Sequence, residues 1–107
     1  MIQLPRLLLV CGNSMSPTYR DGEYLVSRPV SFNGIKENDV LIFRTPYDPK
    51  RVVIKRAIMK STLTKEIFFM GDNLDESYDS RHYGFIPYEY VLGKVIDQRQ
   101  KGDIKHE

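Results

Sequence analysis

The sequence predicts an all-β, mostly antiparallel domain built on a small coiled sheet or barrel, and three observations predict it. Six short runs rich in β-branched and aromatic residues recur along the 107-residue chain. Turn-forming pairs such as Asp21-Gly22 and Asn33-Gly34 separate these runs. No segment keeps the apolar periodicity of a helix. Short strands joined by tight turns are typical of sheets that roll up around one core.

The first three runs are separated by turn signals. Run 6–10, "RLLLV", follows a proline and holds only a short apolar stretch. This stretch is shorter than the ~20 apolar residues that span a membrane. It is also shorter than the roughly 7–15 apolar residues in the core of a signal peptide. A strand is therefore the better interpretation. Run 23–30, "EYLVSRPV", follows an Asp-Gly pair, and run 39–46, "DVLIFRTP", follows an Asn-Gly pair.

The last three runs complete the predicted sheet. They are "RVVIKRAIM" at 51–59, "EIFFMGD" at 66–72 and "YVLGKVIDQR" at 90–99. The polar residues from about 100 onward are expected to fray. With no repeat, linker or low-complexity segment, residues 1–107 are predicted to form a single domain.

Composition excludes several classes of protein. The chain has 16 Lys and Arg against 14 Asp and Glu, interspersed, so there is no basic stripe for nucleic acid. The single cysteine, Cys11, excludes an internal disulfide and a cysteine zinc site. Because nothing nearby in the sequence would ionise its thiol, we expect Cys11 to be a small buried strand residue.

The stretch "GNSMSPT", residues 12–18, holds a serine that could be either a turn residue or a nucleophile. A serine hydroxyl attacks at neutral pH only when a base takes its proton. The histidines are His82 and His106. No motif supports either as that base, and a partly exposed loop residue is the simpler interpretation of His82.

Lysine is the alternative base, provided that an apolar setting keeps its amine neutral. Strand alternation within "RVVIKRAIM" would place Lys55 on one face with Val53 and Ala57, among apolar neighbours. A charged residue in a strand is more often an edge or snorkelling side chain. Lys50 lies in a turn-like stretch, where solvent would keep its pKa too high for a base, so Lys55 is preferred.

The segment "GDNLDESYDSRHYG", residues 71–84, is dense in turn formers and acids. A calcium loop is disfavoured because Leu74 cannot ligate and Ser77 stands where such a loop needs glycine. The simplest interpretation is a turn with Asp79 and Arg81 paired. A functional interpretation keeps this pair as a brace, while the Ser77 hydroxyl orients the lysine amine.

These three segments together resemble the type I signal peptidase family of Ser-Lys endopeptidases. "GNSMSPT" is similar to its nucleophile box, which makes Ser14 the nucleophile, and "IKRAI" to the box of the general base, Lys55. "GDNLDESYDSRHYG" resembles the family's Gly-Asp-Asn-x-x-x-Ser-x-Asp-Ser-Arg-x-x-Gly box. That match implies that Ser77 lies beside the lysine and that Asp79 and Arg81 form a supporting ion pair.

The resemblance implies a mechanism and a substrate class. Ser14 would attack the scissile carbonyl of an exported precursor or leader peptide while Lys55 takes its proton. The acyl-enzyme would be hydrolysed by water that the same lysine activates. The substrate would bind extended, as an added strand, and be cleaved after small residues, typically Ala-x-Ala. No metal, cofactor or nucleic acid is implied.

The chain departs from the family pattern around the serine. Gly12 stands where Gram-negative members carry a serine that donates to the oxyanion. The Ser14 backbone N–H, and the Asn13 side chain or a water, would then serve. A core position is the default for Met15, and the resemblance implies the floor of the cleft as the alternative. Tyr78, Tyr83 and Phe85 are expected to pack beneath the third segment.

The family's large β extension is replaced by "AIMKSTLTKEIFFMGDN", which predicts a short hairpin. No anchor is visible either. Compact chains of this pattern resemble the proteases that mature nickel superoxide dismutase by trimming one cytosolic substrate. Two locations follow: membrane-associated and extracytoplasmic if an anchor is missing, cytoplasmic if the chain is complete. Contact with a membrane surface and the oligomeric state are left open.

Two rival functions share this fold. A self-cleaving repressor would need a cleavable bond ahead of the serine. The Cys11-Gly12 bond is too near Ser14 to loop back into the site. A catalytically silent binding module is the other rival, although every catalytic position is present.

Overall fold

A computed structural model describes residues 5–96 and shows one seven-stranded antiparallel sheet. The strands are β1 (Arg6–Leu9), β2 (Tyr24–Arg28), β3 (Val40–Thr45), β4 (Asp48–Ser61), β5 (Glu66–Met70), β6 (Ile86–Pro87) and β7 (Val91–Ile96). Their order in the sheet is β1-β2-β7-β3-β4-β5-β6. A four-residue helix, α1 (Ser80–Tyr83), and two short 3-10 turns (Leu74–Glu76 and Tyr88–Tyr90) lie between strands. The predicted all-β, antiparallel class is confirmed.

All six predicted runs form strands, with small differences at their ends. β4 begins at Asp48 rather than at residue 51, because the turn after β3 is tight and Thr45 already pairs with Asp48. The β4–β5 hairpin confirms the predicted short extension. The two-residue β6 and the helix α1 were not predicted, since each is too short to show periodicity. The predicted frayed tail lies outside the described residues.

No helix within residues 5–96 has the length and apolar character needed to cross a membrane.

Strand β3 contributes to hydrophobic clusters on both faces of the sheet. Leu41 and Phe43 belong to one cluster, in which the Phe43 ring stacks on Phe69 at 4.0 Å between centroids. Val40 and Ile42 belong to a second cluster, which also holds residues of the loop after β1. Alternate side chains of a strand point to opposite faces, so a strand buried on both faces connects the two clusters.

The same register fixes the orientation of Lys55. In β4, Lys55 lies directly opposite Leu41 of β3, and antiparallel partners share a face of the sheet. Ala57 follows on that face and is buried. The predicted shared face of Lys55 and Ala57 is therefore confirmed, and it is the face of the first cluster.

Candidate active site

Ser14 lies in the turn that follows β1 (Arg6–Leu9). Gly12, at φ 95°, adopts a left-handed conformation that non-glycine residues rarely accept. Its N–H donates to Asp21 Oδ1 at 2.7 Å. Met15 beside the serine is buried in the second cluster, and its carbonyl accepts the Tyr19 N–H at 2.9 Å. The buried Met15 side chain and these two hydrogen bonds hold the turn in one conformation.

Gly71 brings the third segment into close contact with this turn. A Cβ atom at Gly71 would lie 2.2 Å from Ser77 Oγ and 2.6 Å from the Ser14 carbonyl oxygen. Asn73 adds two bonds, since its N–H donates to the Ser14 carbonyl at 2.9 Å and its amide to the Asn13 carbonyl at 3.0 Å. Only glycine permits this approach, which places the Ser14 turn against the segment carrying Ser77.

Asp72 links all three segments, and the sequence reasoning missed it. Its carboxylate accepts two hydrogen bonds from Arg56, at 2.8 and 2.7 Å, and one from the Thr18 hydroxyl at 2.6 Å. The bonds from Arg56, with a smaller contribution from Thr18, outweigh burial and hold the pKa of Asp72 below its usual value. Both partners lie in segments that the sequence singled out, Arg56 next to Lys55 and Asp72 in the Gly-Asp-Asn turn. Nothing in the sequence indicated that these two side chains pair.

Lys55 is buried, with 5% of its surface exposed. Burial in this apolar setting lowers the pKa of its ammonium from 10.5 to about 8. The negative charge of Asp79 opposes that shift, whereas Arg51 and Arg81 add to it. In the described part of the chain, the Lys55 side chain forms no hydrogen bond or ion pair. Lys50, by contrast, is exposed.

Asp79 organises the segment around α1 (Ser80–Tyr83). Its side chain caps the N-terminus of the helix. Its carboxylate accepts hydrogen bonds from Arg81 Nε, at 2.9 Å to Oδ1, and from Arg81 Nη2, at 3.1 Å to Oδ2. The Ser77 hydroxyl and the Gly71 N–H also donate to Oδ2, at 2.7 and 2.9 Å. Burial alone would raise the pKa of Asp79, but these bonds outweigh it and hold the pKa well below its usual range. The Asp79–Arg81 pairing is present as predicted.

Ser14 and Lys55 line one cleft of about 620 Å³. Its walls come from residues 8–14, from residues 51–55 of β4 and from the tyrosines at positions 47, 78 and 83. The cleft therefore joins a hydroxyl in a rigid turn to a buried amine whose pKa is close to neutrality. A hydroxyl and an amine of this kind are the two groups that a serine nucleophile and a lysine base require.

The backbone N–H groups around Ser14 differ in whether they already have a hydrogen-bond acceptor. The Gly12 N–H is used by Asp21. The N–H groups of Asn13 and Ser14 donate to no partner within residues 5–96 and remain free for a ligand. The Met15 side chain lies beneath the turn, where its sulfur accepts the Asp72 N–H at 3.4 Å.

Three expectations about packing were wrong. Cys11 is exposed in the loop after β1 and lines the cleft, because the strand ends at Leu9. Tyr78 is 68% exposed and stacks on His82, while Phe85 is 40% exposed and packs on Phe68. In this segment Ser77, Asp79 and Ser80 are buried, whereas Tyr78 and Phe85 lie toward solvent.

Within residues 5–96, no group of three or more His, Cys, Asp or Glu side chains is arranged to hold a metal ion.

Comparisons with known proteins show what this chain is similar to. The chain is 32% identical over 110 residues to the mitochondrial inner membrane protease subunit 1 of Mus musculus, which covers 84% of this chain and 66% of that protein. It is 34% identical over 110 residues to the mitochondrial ATP-independent inner membrane protease subunit 1a of Arabidopsis thaliana, covering 81% and 66%. The chain thus spans just under two thirds of the length of these curated relatives.

A shorter match reaches bacterial enzymes. Signal peptidase I of Buchnera aphidicola subsp. Acyrthosiphon pisum (strain APS) is 55% identical over 31 residues, which is 29% of this chain and 10% of that protein. Residues 3–61 and 59–97 match the profile of the family described as signal peptidase, peptidase S26. With nearly the whole folded region matched, this chain belongs to the signal peptidase family.

Proposed function

We propose that this protein is a Ser-Lys endopeptidase that removes an N-terminal signal or leader peptide from a precursor protein. The observation that carries the proposal is Lys55: a buried lysine with a pKa of about 8, in the same cleft as Ser14. A buried charge is costly and is seldom kept without a use. A base with a pKa near neutrality is what activation of a serine requires.

In this mechanism the Lys55 amine takes the proton of the Ser14 hydroxyl as Ser14 Oγ attacks the scissile carbonyl. The resulting ammonium then gives that proton to the leaving amine. As the amine departs, the acyl group stays on Ser14 Oγ as an acyl-enzyme. Lys55, neutral again, deprotonates water for attack on the ester, and the proton returns to Ser14 Oγ. The steps balance with water as the sole co-substrate.

Ser77, Asp79 and Arg81 act as supports. Because the Ser77 proton goes to Asp79, the Ser77 oxygen can only accept from the Lys55 amine. Ser77 would then orient the Lys55 amine by accepting a hydrogen bond from it. Arg81 balances the buried carboxylate of Asp79 and fixes its position.

The oxyanion would be held by the free N–H of Ser14, with the Asn13 side-chain amide as a second donor. Gly12 contributes its left-handed backbone rather than its N–H, which Asp21 already binds. Met15 supports the turn from below. Donors fixed before the reaction stabilise the developing charge without reorganisation.

Two open strand edges line the cleft and suit an extended substrate. Among residues 5–96, β1 pairs with β2 alone, so its outer edge has no partner in that part of the chain. Residues 52–55 of β4 pair with β3 on one side, whereas pairing with β5 on the other side begins at Arg56. A precursor segment could therefore add backbone hydrogen bonds along either edge.

The names of the relatives suggest where the protein works. Both long matches are described as mitochondrial inner membrane proteases. We therefore propose that this chain acts at a membrane, on a precursor protein presented there. A dedicated protease for one soluble substrate, such as nickel superoxide dismutase, would be revealed by activity toward a single leader.

The test is cleavage of a panel of leader peptides that end in small residues. We expect the wild-type protein to cleave, and Ser14→Ala and Lys55→Ala each to lose at least about a thousandfold in rate. Lys50→Ala, which removes an exposed lysine from the same strand, is the matched control and should retain activity. Cleavage that persists in folded Ser14→Ala protein would refute the proposal. A wild-type protein that binds the leaders uncut would identify the silent binding module.

A further inference from the structure

The Tyr83 hydroxyl lies on the wall of the cleft without a partner. Within residues 5–96 it is the one buried side-chain polar atom that makes no hydrogen bond. The backbone of Tyr83 is held in place, because the Tyr47 hydroxyl donates to the Tyr83 main-chain carbonyl at 2.9 Å. The rings of Tyr47 and Tyr78 pack against it, with centroids 5.6 and 5.4 Å away. A fixed and unsatisfied hydroxyl is unusual in a protein interior.

Tyr83 shares its surroundings with Lys55. Both line the same cleft, and the charges of Asp79 and Arg51 act on both side chains. Burial, chiefly, raises the pKa of the Tyr83 hydroxyl well above its usual value, so the phenol stays neutral at any pH where the enzyme would work.

The neutral Lys55 amine has two N–H groups that need acceptors while its lone pair faces Ser14. The Ser77 oxygen can accept one of them. The Asp79 carboxylate is already taken by Arg81, Gly71 and Ser77. The second N–H therefore needs another acceptor in the cleft, and the phenolic oxygen of Tyr83 is unused.

We propose that Tyr83 is a positioning residue for Lys55, its phenolic oxygen accepting a hydrogen bond from the lysine side chain. The inference rests on the proposed function. The lysine stem has four rotatable bonds and can turn its amine toward an acceptor in the same cleft, whereas the tyrosine ring is packed between two others. Two acceptors, Ser77 and Tyr83, would then direct the lone pair of Lys55 toward Ser14.

The test replaces Tyr83 by phenylalanine, which removes the oxygen and keeps the ring. Two readouts are needed: the pH dependence of kcat and KM for leader cleavage, and the titration of the Lys55 side-chain nitrogen by NMR in the Ser14→Ala protein. The other charges that act on Lys55 come from Asp79, Arg51 and Arg81, with Asp48 and Glu76 along the same cleft. The Tyr83→Phe substitution leaves all of them in place.

An acceptor stabilises the ammonium more than the amine, so its loss should lower the pKa of Lys55 by about one pH unit. We expect kcat at alkaline pH to fall roughly tenfold because the amine is less well oriented, with KM changed less than about twofold. Tyr24→Phe, a substitution on the exposed face of β2 away from the cleft, is the matched control and should change neither readout.

An unchanged Lys55 titration in Tyr83→Phe would overturn the inference, even if kcat fell. Should Tyr83→Phe not fold, Tyr47→Phe removes the hydrogen bond that holds the Tyr83 carbonyl and should move the titration in the same direction by less. No movement there would also overturn the inference. A shifted titration in a protein that cleaves no leader would support the Tyr83–Lys55 contact and refute the proposed function.

Discussion

At the scale of single residues, Lys55 is the side chain whose environment most changes its chemistry. It lies opposite Leu41 and beside Ala57, on an apolar face of the sheet. The ammonium cannot be hydrated there as it is in solvent, so the neutral amine becomes accessible near physiological pH. Two predictions depend on this single group.

The first concerns activity. If the neutral amine of Lys55 is the base, kcat should rise with pH through about 8 and then level off. Initial rates of leader cleavage between roughly pH 5 and pH 10 would measure this profile on both sides of the lysine titration. A rate independent of pH would contradict a lysine base.

The second concerns stability. Below pH 8 the native state holds a buried charge that the unfolded chain holds in solvent. Between about 8 and 10.5 the unfolded chain binds a proton that the native state has released, so stability rises with pH in that window. Lys55→Met should therefore stabilise the protein at pH 7, by at most roughly 3 kcal/mol.

Urea unfolding at neutral and at alkaline pH measures this effect. The advantage of Lys55→Met over the wild type should shrink as the pH rises from about 8 to 10.5, because the native wild-type protein has then released the proton that its unfolded chain still binds. If Lys55→Met were less stable than the wild type at pH 7, the buried ammonium would not be destabilising the native state.

At the scale of structural elements, the site depends on contacts between the turn after β1 and the segment after β5. The most constrained of these contacts is at Gly71, where a Cβ would lie within 2.6 Å of both Ser77 and the Ser14 carbonyl. Backbone on one side and a buried serine on the other leave little freedom to adjust.

We therefore expect Gly71→Ala to push the two segments apart, with a loss of roughly 2 kcal/mol or more in stability and no detectable cleavage. Gly34→Ala is the matched control: its nearest neighbour is the Ser31 hydroxyl at 3.1 Å, a small group that can rotate. Thermal unfolding and leader cleavage of both variants would separate them. Equal behaviour of the two would mean that the close contact is unimportant.

At the scale of the whole molecule, the two hydrophobic clusters are expected to unfold together. They share β3, whose alternate residues belong to different clusters. A strand cannot leave one cluster without leaving the other, so residues 1–107 should behave as a single domain.

Calorimetry tests that expectation with one substitution in each cluster. Phe43→Leu and Ile42→Val should each lower the midpoint of one common transition, by an amount set by the volume removed. Two resolved transitions, or loss of amide protection around one cluster alone, would contradict a single domain.

The sequence by itself determined six of the seven strands, the shared face of Lys55 and Ala57, and the three segments that hold the candidate site. These features follow from alternation and turn chemistry, which act over a few residues. A match of three segments to one family extended that local information to a candidate function.

Only the tertiary structure decided how the segments touch. The bond from Thr18 to Asp72 joins residues 54 positions apart. The exposure of Cys11 and the unpartnered hydroxyl of Tyr83 likewise depend on which strands lie side by side. Such contacts form after distant parts of the chain are brought together by the sheet, and no local pattern records them.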